Sequence, residues 1–318
     1  MMDLSLNHWC RIRMNKFLSG AEVVGFGLGK KYELVVIVLC FNQSRYVKEA
    51  VNSVIAQDWS ESWHIIVHDD ASTDESAIEI RKLVEYHSTK ITAILQSHNR
   101  YSSAFNIPIE LQRLVDAEFI ARLDADDYFI TPKKLREQVA ILAKSPEIVL
   151  VSHPYLIINE SGIPNVKIVF GRKLEISRYQ MFLGNPIATP TAMYRSIAAA
   201  EMPAKLSGSR IQDWPFWVIL AMKGRVSYLR GLESGYRVHA ENSFAGRSNT
   251  EFKADNLMAH RTLIEYLGTR SSLLLRVLYA QALCNFKLDQ ISFGKATVVS
   301  NKIKAFLMGH KKIKVQKS

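Results

Sequence analysis

Along the first half of the chain, the pattern of apolar and polar positions switches back and forth between two periods. Leu34–Phe41 is an unbroken apolar run of eight residues, rich in Val, Leu and Ile and bounded by polar positions. Such a run predicts a short strand buried on both faces, as in a parallel sheet. Val47, Ala50, Val51, Val54 and Ile55 then recur at i, i+3, i+4, i+7 and i+8, which is one face of a helix. Trp63–His68 predicts a second strand. Asp74 follows as a natural N-cap for a helix carrying Ala77, Ile80, Leu83 and Val84. Ile91–Leu95 predicts a third strand, and Ile107, Leu111, Leu114 and Val115 the face of the next helix, with Pro108 acceptable in its first turn. Glu118–Leu123 predicts a fourth strand, after which Pro132 opens a helix bearing Leu135, Val139 and Leu142.

Strands alternating with helices in this way predict an α/β fold, a sandwich of helices around a mostly parallel central sheet. The second half is less regular. It offers a strand over His153–Ile158, a turn at Gly184-Asn185-Pro186, a helix over Asp213–Met222, and two long helical patterns over Glu251–Leu267 and Ser272–Phe286. The division expected is a leader over residues 1–33, an α/β domain over 34–248 and a basic helical extension over 249–318.

Ligands of open α/β sheets bind outside the carboxyl ends of the strands, and two acidic clusters fall there. One is Asp69-Asp70, after the second strand; the other is Asp124-Ala125-Asp126-Asp127, after the fourth. Carboxylates one residue apart beyond a strand can converge on a hard cation such as Mn²⁺ or Mg²⁺. Gln212-Asp213-Trp214 sets a carboxylate beside a large aromatic ring, and Tyr236-Arg237-Val238-His239 offers a cation for phosphate and an imidazole for metal. Each segment alone is accounted for by turn and cap chemistry; the convergence of the two acidic clusters on one sheet edge is the functional signal. Gly25-Phe26-Gly27-Leu28-Gly29 precedes the first predicted buried strand instead of following one, so it reads as a connector and not as a phosphate loop.

Composition narrows the field. With 48% hydrophobic and 22% charged residues the chain is globular. Its formal charge of +11 is unevenly spread. Residues 32–252 hold 24 basic and 25 acidic residues, whereas residues 253–318 hold 12 basic and three acidic. A near-neutral body does not present a nucleic-acid groove. The basic end, with Ile303, Phe306, Leu307, Met308, Ile313 and Val315 among its lysines, could lie on an anionic membrane surface. Three widely spaced cysteines, Cys10, Cys40 and Cys284, suggest neither a disulfide framework nor a zinc site and fit a reduced cytosol. No apolar run approaches the about 20 residues of a membrane span.

In order, the segments VVIVLCFNQSRYVKEAVNSVIAQDW, IIVHDDASTDES, FIARLDADDYFITPKKLREQ, NPIATPTAMYR, QDWPFWVILAMKGRVSYL and GYRVHAENSF resemble the family 2 glycosyltransferases of GT-A fold, from about Leu34 to Phe244. The resemblance implies a nucleoside-diphosphate sugar donor, with Phe41 and Asn42 lining the base, Asp69 and Asp70 contacting base or ribose, and Asn99 and Arg100 in the donor loop. In that loop the glycine and arginine usual in the family are replaced by Arg100 and Phe105. It further implies Asp124 near the ribose, Asp126 and His239 on Mn²⁺ or Mg²⁺, and Arg237 on the diphosphate. Asp213 is then the general base, and Gln212 and Trp214 line the acceptor or sugar pocket.

The activity so implied is inverting transfer of a single sugar to a hydroxyl of a glycan or lipid-linked glycan, in cell-surface polysaccharide synthesis. The setting would be cytoplasmic, at the inner face of the cytoplasmic membrane. The QxxRW motif of polymerising synthases does not occur. Competing readings are a sugar-phosphate nucleotidyltransferase, whose Gly-rich loop would replace Phe41-Asn42-Gln43-Ser44-Arg45, a metal-dependent phosphohydrolase, whose acidic motif would follow the first strand, and a catalytically inactive nucleotide-sugar-binding homologue.

Overall fold

The computed structural model describes residues 16–101, 106–169, 175–202, 211–240, 248–268, 273–290 and 314–317. The chain runs through β1 (Glu22–Val24), β2 (Lys31–Cys40), α1 (Val47–Ile55), β3 (Trp63–Asp69), α2 (Ser76–Tyr86), β4 (Ile91–Leu95), α3 (Ile107–Gln112) and β5 (Asp116–Asp124). Next come β6 (Tyr128–Phe129), α4 (Lys134–Lys144), β7 (Ile148–Ser152), β8 (Tyr155–Ile158), β9 (Pro164–Val169), β10 (Glu175–Ile176) and α5 (Arg178–Phe182). The order closes with β11 (Met193–Arg195), α6 (Ser196–Ala199), α7 (Asp213–Lys223), β12 (Arg225–Tyr228), β13 (Ser234–Arg237), α8 (Asn249–Leu267), α9 (Leu273–Gln290) and β14 (Lys314–Lys317).

The larger sheet has the order β1-β4-β3-β2-β5-β11-β7-β12-β10. Its heart, β4-β3-β2-β5, is parallel, as the apolar runs predict. Along β2, Val35 and Ile37 enter the core on one face while Leu34, Val36 and Val38 enter the core on the other. Burial on both faces is why this strand shows no apolar–polar alternation. One face is covered by α1, α2 and α4 through Val51, Val54, Ile80, Leu83, Leu135 and Val139. The other carries α7 and α8, with Phe216, Trp217, Ile219 and Leu263. β11 then inserts antiparallel to both β5 and β7, so the sheet is mixed beyond β5.

Register does the functional work of this fold. Cys40 stands opposite Asp69, and Leu39 opposite Asp124. Both acidic clusters therefore emerge level with one another at one sheet edge. A smaller sheet, β14-β9-β8-β13-β6, sits beside that edge, with Gly235 of β13 opposite Tyr128 of β6. The short β6 thus ties the loop after Asp124–Asp127 to the Tyr236–His239 segment.

The amino-terminal region, where the sequence suggests a leader, joins this body from residue 16 onward. Phe17 is buried and stacks on His68 with ring centroids 5.7 Å apart, and β1 pairs antiparallel with β4. The connector glycines prove to be packing residues as well. Gly27 donates its N–H to Thr92 Oγ1 at 2.8 Å, and a Cβ there would lie 1.9 Å from His64 Nε2. At the other end, α8 opens on a capping box between Ser248 and Glu251 and buries Ala259, Leu263 and Leu267. Among the described residues no helix is long and apolar enough to cross a membrane. Of the lysine-rich stretch after residue 290, Lys314–Lys317 pairs with β9; residues 291–313 lie outside the described residues.

Candidate active site

The first part of the site forms where β2 and β3 end. Phe41 is 46% exposed at the mouth of β2, and Asn42 takes a left-handed conformation with φ 54°, which asparagine tolerates better than most residues. Asn42 donates its backbone N–H to Ser72 Oγ at 2.8 Å, and its Oδ1 accepts from the Thr73 N–H at 2.8 Å. Asp69 is buried and accepts from the Ser72 hydroxyl and, at 3.0 Å, from the Ser72 N–H. Asp70, also buried, accepts from the backbone N–H groups of Arg100 at 2.6 Å and Tyr101 at 2.9 Å. Burial raises both carboxyls, and these hydrogen bonds oppose it. Asn99 donates to the Asp70 carbonyl at 3.3 Å, while the Arg100 side chain turns away to Gln96 and the Ser19 carbonyl. This acidic pair thus shapes the loop that carries Asn99, and the Arg100 cation faces the amino-terminal segment. Phe105 lies outside the described residues.

The second part is the acidic turn after β5. Asp124 has its carboxyl pushed up to about 7, first by desolvation and then by the neighbouring Asp126 charge. Asp127 is buried, and desolvation followed by Asp126 and Asp124 holds its carboxyl well above the usual range. It accepts the Arg237 backbone N–H at 2.8 Å. His239 Nε2 lies 3.0 Å from Asp126 Oδ2, and the Tyr46 ring packs 5.1 Å from the imidazole. Arg237 is only 2% exposed. Its Nε donates to the Asp126 carbonyl at 2.8 Å, Nη1 to the carbonyls of Asn159 and Glu160 at 3.2 and 2.7 Å, and Nη2 pairs with Glu49. The guanidinium also stacks over Tyr46, 4.6 Å from the ring centroid. Arg237 is therefore a strut that holds the acidic turn and not an open phosphate hook.

The third part faces the second across the edge. Asp213 starts α7, and Asn185 Nδ2 donates to its Oδ2 at 2.6 Å. Desolvation raises its carboxyl, with Arg122, the Trp214 N–H and Asn185 opposing. Asp213 and Asp124 feel one another's charge, and Tyr236 lies within reach of Asp124, Asp126, Asp127 and Asp213, so its phenol is raised by burial and by all four. Gln212 occupies the N-cap position of α7. The structure does not bring Trp214 to this cluster. Trp214 is 2% exposed, donates its indole N–H to the Met181 carbonyl at 2.6 Å and sets its ring edge-on to His260. It is a core residue, as an aromatic one position into an apolar helix commonly is.

Compared with known proteins, residues 35–200, more than half of the chain, match the family described as Glycosyl transferase family 2. The chain belongs to that family. The chain is 26% identical over 210 residues to an uncharacterized protein of Mycobacterium tuberculosis, covering 64% of this chain and 58% of that protein, so it spans less than two thirds of that relative. Its fold is that of Staphylococcus aureus TarS, solved with UDP-GlcNAc, at a TM-score of 0.58 and 19% identity over 87% of this chain and 77% of that one. The mannosyltransferase PcManGT of Pyrobaculum calidifontis, solved with GDP-Man and Mn²⁺, overlays at a TM-score of 0.54 and 15% identity, covering 93% and 91% of the two chains.

Among the described residues, no group of three or more His, Cys, Asp or Glu side chains could hold a metal ion unaided. The Asp126–His239 pair supplies one oxygen and one nitrogen. That suits a cation of the Mg²⁺ or Mn²⁺ type, which takes one or two protein ligands and completes its shell with substrate phosphates and water. Asp127 and Tyr236 join the site from the acidic turn and the Tyr236–His239 segment, and Arg122 and Asn185 join it with no role expected from sequence. Of these two, Arg122 carries a legible signal, as a charge inside the apolar run Phe119-Ile120-Ala121-Arg122-Leu123.

Proposed function

We propose that the enzyme is an inverting, metal-dependent transferase that moves one sugar from a nucleoside-diphosphate sugar to a hydroxyl of a glycan or lipid-linked glycan in cell-surface polysaccharide synthesis. The observation that carries this reading is the position of Asp213, a desolvated carboxylate fixed by Asn185 and within electrostatic reach of the Asp124–Asp127 turn. The donors named in the TarS and PcManGT complexes, UDP-GlcNAc and GDP-Man, support the class of donor.

Phe41 and Asn42 would receive the nucleotide base, with Asp69, Asp70 and Asn99 keeping their loop in shape around it and Asp124 near the ribose. Asp126 and His239 would hold Mn²⁺ or Mg²⁺. Bound there, the cation neutralises charge on the departing diphosphate. Asp213 takes the proton of the acceptor hydroxyl while that oxygen forms a bond to the anomeric carbon. The bond from that carbon to the diphosphate oxygen breaks on the opposite face, and its electron pair leaves with the diphosphate. A carboxyl raised by burial is a stronger base than a solvated one, provided it stays ionised at working pH. The basic carboxyl-terminal stretch would bring the enzyme to an anionic membrane surface carrying a lipid-linked acceptor.

The test is calorimetry and turnover with UDP-GlcNAc and GDP-mannose, with and without Mn²⁺. Asp126→Asn should lose the Mn²⁺-dependent part of donor binding. Asp213→Asn should keep donor binding while turnover drops by about 10²–10⁴-fold. Turnover of Asp213→Asn equal to that of the wild type would overturn the assignment.

A further inference from the structure

Arg122 lies on β5 two residues before Asp124, and the period of two along a strand puts both on one face, beneath the first turns of α7. It is 6% exposed. Its Cζ sits 5.5 Å from the ring centroid of Phe216 and 5.1 Å from that of Trp217. Its Nε is buried with no hydrogen-bond partner. A buried cation is ordinarily paired or fully hydrogen-bonded, because its desolvation is costly. The two aromatic faces offset part of that cost. The remainder is met through space, since the Arg122 charge acts on both Asp124 and Asp213 against the burial that raises them.

We propose that Arg122 is a positioning residue for sugar transfer: a fixed cation under the acidic pocket that keeps Asp213 a carboxylate ready to accept the proton of the acceptor. This rests on Asp213 being the base. The groups that face Asp213 are Arg122 and Asp124 from β5, Tyr236 from β13, Asn185 from the loop before β11 and the Trp214 N–H of its own helix. Among them Arg122 is the cation. An arginine that served α7 by packing alone would leave the ionisation of Asp213 where it is once a side chain of similar volume took its place.

The experiment follows the Asp213 carboxyl carbon by NMR in protein labelled at aspartate, with Asp213→Asn identifying the signal. Arg122→Met and Arg122→Gln should each raise the Asp213 titration midpoint by about one pH unit, the size of an ordinary charge–charge effect, and Arg122→Lys should return it most of the way. Thermal unfolding of each variant checks that the fold is kept. The pH dependence of Mn²⁺-dependent turnover of UDP-GlcNAc, or of GDP-mannose, should shift in parallel. At one pH unit below the wild-type acid limb the loss should approach tenfold, and it should vanish at alkaline pH. An Asp213 midpoint unmoved in both the Met and Gln variants overturns the proposal. A midpoint that moves while the acid limb of turnover does not would overturn Asp213 as the base and leave the electrostatic coupling standing.

Discussion

Arg237 shows how burial redirects a side chain whose chemistry points elsewhere. A guanidinium between a tyrosine and a histidine suggests a grip on phosphate, yet three backbone carbonyls and Glu49 take up its donors. Its loss would strand those carbonyls and release the acidic turn they flank. Arg237→Met should therefore lower stability by roughly 1–3 kcal/mol, the cost typical of leaving buried hydrogen-bond partners unsatisfied, and should weaken Mn²⁺-dependent donor binding as a secondary effect. Glu49 is half exposed, with its side chain 52% accessible, so Glu49→Gln should cost no more than about 1 kcal/mol. Equal destabilisation of the two variants in urea titrations would refute the strut. Among the residues expected at the site, Asp124, Asp126, Asp213 and His239 gather as the sequence suggests, because strand ends and a helix start fix them. Trp214 was misplaced since sequence spacing tells which face of a helix is apolar, not whether that face opens on a pocket or on the core.

At the scale of the element, β3 carries an unusual load. His64 and His68 are both buried, and their imidazoles are pushed down to about 4 and about 3, by burial first and then by nearby Lys30 and Lys90 or by Arg100. A histidine whose folded pKa lies below its unfolded value takes up its proton more readily in the unfolded chain. Stability is then complete above about pH 6.5 and is lost as pH falls toward the folded values, at up to about 1.4 kcal/mol per unit for each ring. His68→Leu should flatten the fall of Tm between pH 6.5 and 4 relative to the wild type; an unchanged slope would refute a neutral buried imidazole. The raised site carboxyls slope the other way, so the comparison with wild type is the readout. The parallel heart β4-β3-β2-β5 was legible because each strand is an apolar run long enough to stand out. β11 and β6 were not, having three and two residues. Too short to show a period, they exist because neighbouring strands offer them free edges.

At the scale of the molecule, the charge is divided between a near-neutral body and a basic end, and the proposed membrane role of that end is tested by removing it. Removing residues 291–318 should leave donor binding intact and abolish sedimentation with anionic vesicles. The same binding by the full chain should fade as rising salt shortens the screening length below the roughly 8 Å of physiological buffer. Vesicle binding that survives the truncation would place the contact elsewhere. The order of strands carries a further consequence for how the enzyme is made. β7 and β12 reach the parallel heart only through β11, and the turn bearing Asp126 is stapled by β13, which begins at Ser234. While the ribosome is still short of those residues, the emerging chain has a half-built sheet with an open edge on β5 and no partner for its acidic turn. Long-range pairings of this kind close late. Until β11 and β13 arrive, that exposed β5 edge is the surface a chaperone would have to guard.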